Sequence, residues 1–83
     1  MYAQLVEIEA TPELERLVAD ELVPALLEQA GFAGTLALVD RETGRATVIA
    51  LWETAEQARR ELPHAAVQSG RERVSVCRVS TRV

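Results

Sequence analysis

The sequence predicts an α+β domain of βαββαβ order, in which a four-stranded antiparallel sheet carries two helices on one face. Three features predict this order: two segments open with helix-start residues, four segments are rich in Val, Ile and Leu, and a turn containing Asp and Gly joins the middle two. The 83 residues fit one domain, so 1–83 is expected to fold as a single unit. A chain of this length has a small core and, with its single cysteine, no internal disulfide. Burial of further apolar surface against a second copy is therefore favoured.

The first strand is predicted at Tyr2–Glu9. Its residues alternate, so that Gln4, Val6 and Ile8 would lie on one face of the sheet and the intervening residues on the other.

A first helix is predicted to begin at Thr11-Pro12. Thr11 can cap the helix, and the φ of Pro12 suits the first helical position. An apolar stripe at three- and four-residue spacing follows, made of Leu14, Leu17, Val18, Leu22, Ala25 and Leu26. Pro24 removes one backbone hydrogen bond, so a kink or short break is expected between Glu21 and Pro24. Gly31 is expected to end the helix as a left-handed cap.

A β-hairpin is predicted from Gly34–Val39 and Ala46–Glu53, with Asp40–Arg45 as its loop. The second arm is apolar on both faces: one carries Ala46, Val48, Ala50 and Trp52, and the other carries Thr47, Ile49 and Leu51. A sheet with helices on one side and water on the other would have a polar outer face. The second apolar face therefore predicts a homodimer that buries it.

A short second helix is predicted to begin at a capping box formed by Thr54 and Gln57 and to end at Pro63. Residues 64–70 are interpreted as a turn or helical extension, and Arg73–Val83 as the last strand. The βαββαβ order closes most simply as a ferredoxin-like sheet with both helices on one face.

Several partner classes are not expected. The formal charge of −4 opposes binding to phosphate backbones, and 46–51 lacks the stacking aromatics of RNA-binding sheets, so no nucleic acid is expected. No apolar run approaches the ~20 residues that span a bilayer, and the N-terminus does not resemble a secretory signal, so a cytoplasmic protein without membrane contact is expected. The sequence shows no spaced metal ligands and no phosphate-binding loop, and no cofactor is expected.

Three runs of sequence carry a family resemblance: 31–36, 39–44 and 51–54. They resemble the dimeric α/β-barrel proteins related to antibiotic biosynthesis monooxygenases, and the resemblance covers nearly the whole chain. It implies a homodimer with the two sheets facing each other and a ligand cavity between sheet and helices. The better-known members are similar to cofactor-independent monooxygenases of aromatic polyketides and to haem-degrading enzymes, which commonly use an Asn with Trp or His. This sequence contains no Asn, so the resemblance implies the fold rather than the catalytic set.

The candidate site residues are few. Trp52 and Phe32 are the candidates for ligand binding, and the alternative for Trp52 is that it fills the space between its strand and the second helix. His64 is the candidate general base, because histidine ordinarily titrates near neutral pH, and the alternative is a surface histidine after Pro63. Cys77 is expected to be a buried structural thiol.

The function expected from these observations is that of a small dimeric α/β-barrel protein that binds a small aromatic or apolar ligand between sheet and helices. Two alternatives stay open. The first is a cofactor-independent monooxygenase of an aromatic or quinol-type substrate, in which His64 takes a phenolic proton. The second is a non-catalytic structural or regulatory dimerisation module, whose interior would be filled by side chains.

Overall fold

The fold was analysed in a computed structural model that describes residues 1–60, 62–63 and 71–83. Its elements are β1 (Tyr2–Glu9), α1 (Leu14–Leu17), a π-helical turn (Val18–Leu22), α2 (Val23–Leu27), β2 (Phe32–Asp40), β3 (Arg45–Trp52), α3 (Ala55–Ala58) and β4 (Arg71–Arg78). The predicted βαββαβ order is confirmed, and its first helix is divided into α1, the π turn and α2.

The four strands form one antiparallel sheet in the order β2-β3-β1-β4. The two strands at the centre, β1 and β3, are paired along their whole length, from Tyr2 opposite Trp52 to Glu9 opposite Arg45. This is the ferredoxin-like arrangement that the order of elements predicted.

The core lies between the helices and one face of the sheet. It combines alternate residues of β1 and β3 with the apolar stripe of the helices: Val6, Ile8, Leu14, Val18, Leu22, Leu26, Ala46, Val48, Ala50, Trp52, Ala58 and Leu62. Both helical regions contribute to this one cluster, so both lie on the same face of the sheet.

The first helix begins three residues later than predicted. The Thr11 carbonyl accepts a hydrogen bond from the Leu14 N–H at 3.1 Å, which makes Thr11 the first residue of a turn. Glu13 occupies the capping position, and its side chain forms no capping hydrogen bond. An irregularity is present, but it lies earlier than the predicted position between Glu21 and Pro24: it is the π turn Val18–Leu22, which is separated from Pro24 by Val23.

The prediction for Gly31 is wrong about the end of the helix. The helix ends at Leu27, four residues earlier. Gly31 has a φ of +79° and lies in the following turn, which the Phe32 N–H closes on the Gln29 carbonyl at 3.4 Å. The left-handed conformation predicted for Gly31 is present and favours glycine, but it belongs to a turn that leads into β2 and not to the end of the helix.

The hairpin and the second capping box are confirmed. Asp40 Oδ1 accepts hydrogen bonds from the N–H groups of Glu42 and Thr43, at 2.9 and 3.3 Å, and these bonds shape the loop. Thr54 and Gln57 form the reciprocal capping box that begins α3. The last strand is Arg71–Arg78, so it ends earlier than the predicted Arg73–Val83.

The face of the sheet opposite the helices is largely apolar toward one end. We call it the open sheet face. Its central part is formed by Ala3, Leu5, Leu36, Leu38, Thr47, Ile49, Leu51 and Cys77, and the register places Glu7, Arg73 and Ser75 on the same face. Leu36 and Leu38 are 45% and 53% exposed, and Leu5, Ile49 and Leu51 are half-buried. Within the described ranges, this face is not covered by a helix. The predicted double apolarity of β3 is therefore a property of the folded sheet.

Candidate functional site

A row of aromatic side chains crosses the helix-facing side of the sheet at one end. The strand register places Phe32 of β2 opposite Trp52 of β3, Trp52 opposite Tyr2 of β1, and Tyr2 opposite Arg78 of β4. We call Phe32, Trp52, Tyr2 and Arg78 the aromatic row. It contains the only Phe, Trp and Tyr of the chain. Side chains directly opposite each other on neighbouring strands are within contact range, so Tyr2 lies within reach of both Trp52 and Arg78.

Trp52 is the fixed point of this row. Its side chain is only 4% exposed, and its ring meets the Phe32 ring edge to face, with centroids 5.6 Å apart and an interplanar angle of 70°. This is a favoured geometry for two aromatic rings. The indole N–H donates a hydrogen bond to Gln4 Oε1 at 3.0 Å. The Trp52 ring is thus oriented by neighbours on both β1 and β2.

Gln4 connects Trp52 to the end of the second helix. It is the buried polar residue of the described core, with 2% of its surface exposed. Its Oε1 accepts from Trp52, and its Nε2 donates to the Arg60 carbonyl just after α3. A buried amide is costly unless its donors and acceptors are paired, and here both the oxygen and the nitrogen have partners.

Two of the predicted site residues are brought together and one is not described. Phe32 and Trp52, from different strands, are in direct contact. His64 lies outside the described residues. The prediction for Cys77 is wrong: the thiol is exposed, opposite Ala3 on the open sheet face. The alternation of β4 turns it away from the helices and the core.

Tyr2 and Gln4 were not among the residues predicted for the site. The sequence held one signal for Gln4, which is a polar residue at a position that alternates with the buried Val6 and Ile8. Tyr2 shares that alternation and is half-buried against the core. Neither residue could be assigned to Trp52 without the strand register, which only the fold provides.

A concave region lies at the end of the sheet opposite the aromatic row. It is an open groove of about 440 Å³ between the start of the first helix and the hairpin loop, lined in part by Thr11, Glu15, Asp40 and Arg41. The backbone closes its floor, where the Ala10 N–H donates to the Gly44 carbonyl at 2.8 Å. The Asp40 carboxylate already accepts hydrogen bonds from the backbone of the hairpin loop, so its presence beside the groove is explained by the structure of that loop.

In the described part of the chain, no helix has the length and apolar character to cross a membrane. The same residues contain no group of three or more His, Cys, Asp or Glu side chains placed to hold a metal ion.

Comparison with solved structures identifies proteins of the same fold. A protein described as a "putative antibiotic biosynthesis monooxygenase" from Bordetella bronchiseptica superposes with a TM-score of 0.73 and 18% identity, over 96% of this chain and 97% of the other. Proteins with the same description from Deinococcus radiodurans and Chloroflexus aurantiacus have TM-scores of 0.67 and 0.61 and identities of 13% and 14%. The Deinococcus protein is aligned over 100% of this chain and 96% of its own length, and the Chloroflexus protein over 99% of this chain and 96% of its own.

No protein-family model and no curated protein sequence matches the chain. At these identities the superpositions establish the fold. The predicted resemblance is confirmed at that level: the chain has the fold of antibiotic biosynthesis monooxygenase-like domains.

Proposed function

We propose that this protein is a homodimer that binds a small aromatic or apolar ligand between the sheet and the helices, beside Trp52. The aromatic row carries the proposal. All three aromatic side chains of the chain lie on the helix-facing side of one end of the sheet, although they come from three different strands. Planar apolar ligands are held by such surfaces, because aromatic rings offer large contact areas with defined stacking geometry.

The polar groups around Trp52 support the same site. Trp52 is 4% exposed and its indole N–H is already bonded to Gln4, so its part in such a site is that of an apolar inner wall. Tyr2 is half-buried, and its register neighbour Arg78 is exposed, so the row opens toward β4. A ligand would therefore lie over Tyr2, with Trp52 as the inner wall.

The open sheet face supports the homodimer. Leu36 and Leu38 project from β2 with about half of their surface exposed, and they continue the half-buried Leu5, Ile49 and Leu51. A contiguous apolar surface of this kind is typical of a protein interface. A second copy fits it because a twofold axis would place each apolar face against its equivalent.

The ligand proposal is tested by titration with 2-naphthamide, a neutral planar probe. We expect binding at micromolar concentration, measured by calorimetry and by a change in the emission of Trp52, the single tryptophan. Phe32→Leu should weaken binding, because it removes the ring that holds Trp52 edge to face. The control is Leu27→Ala, since Leu27 is 68% exposed on α2 and outside the site. Absence of binding in the wild type would instead support a dimerisation module with a filled interior.

A cofactor-independent monooxygenase is the second candidate function. The observation in its favour is the shared fold with proteins described as antibiotic biosynthesis monooxygenases. In this proposal His64 removes a phenolic proton, and the resulting substrate carbanion reacts with molecular oxygen. Oxygen uptake with a naphthoquinol substrate tests it, and His64→Ala should lower turnover by about 10²-fold or more. Unchanged turnover in that variant would remove the role of His64, and no uptake above autoxidation would remove the reaction.

A further inference from the structure

We propose that the ligand of the aromatic row is an aromatic anion, a planar ring system with a carboxylate or similar acidic group, and that Arg78 binds this group. The inference rests on the proposed ligand site and specifies its chemistry. Its basis is the order of residues along the row, which runs from the buried Trp52 through the half-buried Tyr2 to the exposed Arg78.

Arg78 faces the same side of the sheet as the aromatic rings. On β4 it lies two residues beyond Val76, which packs against the core, and opposite Tyr2, which does the same. Its guanidinium group therefore stands at the open end of an apolar surface. A planar ligand over Tyr2 would bring a substituent on its outer edge to Arg78, whose planar fork matches a carboxylate.

The charge of Arg78 is not neutralised within the described residues. Glu7 and Glu9 lie at the other end of β1, where Glu7 is opposite Arg73 and Glu9 is opposite Arg45. No described residue forms an ion pair with Arg78, and this includes Glu53, the acidic residue that follows Trp52. The guanidinium group is thus available to an anionic partner.

A second arginine reinforces the positive charge at this end. Arg82 Nη1 lies 3.4 Å from the sulfur of Met1, the neighbour of Tyr2. The two arginines are positively charged, whereas the chain as a whole carries a formal charge of −4. Local positive charge of this kind attracts anions even when the net charge opposes them.

The test compares two probes of nearly the same shape, 2-naphthoate and 2-naphthamide. We expect the anion to bind the wild type roughly tenfold more tightly than the neutral amide, as expected of a charged hydrogen bond to Arg78. In Arg78→Gln the two affinities should become equal within about twofold, while 2-naphthamide still binds and shows that the site is intact. Arg16→Gln, the same change of charge at an exposed residue of α1, should leave the preference for the anion unchanged.

Equal affinities in the wild type, or a preference that survives in Arg78→Gln, would overturn the assignment of an anionic ligand while the aromatic site itself stands. If neither probe binds, the proposed ligand site fails, and this inference fails with it. The two proposals are therefore separated by the binding of the neutral probe.

Discussion

At the scale of single residues, Gln4 is the most informative side chain of the core. Its amide joins the Trp52 indole to the backbone after α3, so one polar residue ties β1 to β3 and to the end of the second helix. Because Gln4 is only 2% exposed, a partner of its amide that loses this hydrogen bond could not bond to water instead. The cost of such a group, not the net gain of the hydrogen bond, decides what a substitution does.

Gln4→Leu should lower the free energy of unfolding by about 2–4 kcal/mol. The substitution preserves the approximate volume but leaves the Trp52 N–H and the Arg60 carbonyl without partners. Urea unfolding followed by circular dichroism at fixed protein concentration measures the change. Gln29→Leu, at an exposed loop position, is the matched control and should change stability by less than about 0.5 kcal/mol. Equal losses in the two variants would show that the buried amide has no special role.

Among the three glycines that the structure describes, Gly31→Ala should be the most costly substitution, at about 2–3 kcal/mol. Its φ of +79° already disfavours a side chain, and an added Cβ would collide with the Gln57 side chain, which holds the Thr54 N–H in the capping box. Gly44→Ala is the control, because Gly44 has a φ of +69° but no atom within 4 Å of an added Cβ. It should lose only the backbone term of about 1–2 kcal/mol. Thermal unfolding distinguishes the two, and equal losses would exclude a contribution from Gln57.

At the scale of secondary structure, the first three strands were predicted better than the first helix. The bounds of β1 agree with the prediction, because period-two alternation is a local signal. The π turn could not be located from sequence, because its two causes, a proline and the packing of buried side chains, affect backbone several residues away from the residues responsible. Pro24 removes a bond to a residue one turn earlier, and the buried Leu14, Val18, Leu22 and Leu26 are spaced by four. In a regular α-helix that spacing would rotate them by about 120° in total, and a wider turn reduces the rotation.

Moving the proline tests this explanation of the π turn. Pro24→Ala should change the free energy of unfolding by less than about 1 kcal/mol, because the π turn already accommodates the missing N–H. Pro24→Ala/Ala25→Pro, which shifts the proline by one residue, should cost about 3 kcal/mol or more, since α2 has no matching irregularity there. Melting temperatures by circular dichroism measure both. A gain of about 3 kcal/mol in Pro24→Ala alone would show that the proline strains the helix.

At the scale of the whole molecule, the sequence was sufficient for the fold and insufficient for the composition of the site. The order of elements has few topological solutions, so the arrangement of the sheet followed from local patterns. The site depends on which residues of different strands face each other. Trp52 and Phe32 were identified by residue type alone, whereas Tyr2, Gln4 and Arg78 acquire their meaning only through the register.

The proposed dimer can be broken at the centre of the open sheet face without disturbing the core. Ile49→Arg should convert a dimer into a monomer of 9.1 kDa in sedimentation equilibrium, since an unpaired charge would be buried between two apolar sheets. In a single copy the arginine stem can lie on the sheet with its charge in water, so the fold should persist by circular dichroism. Ala19→Arg, an exposed position on the helical side, adds the same charge and should remain dimeric. A wild type that sediments as a monomer across micromolar concentrations would contradict the dimer. An Ile49→Arg variant that stays dimeric would place the interface on another surface.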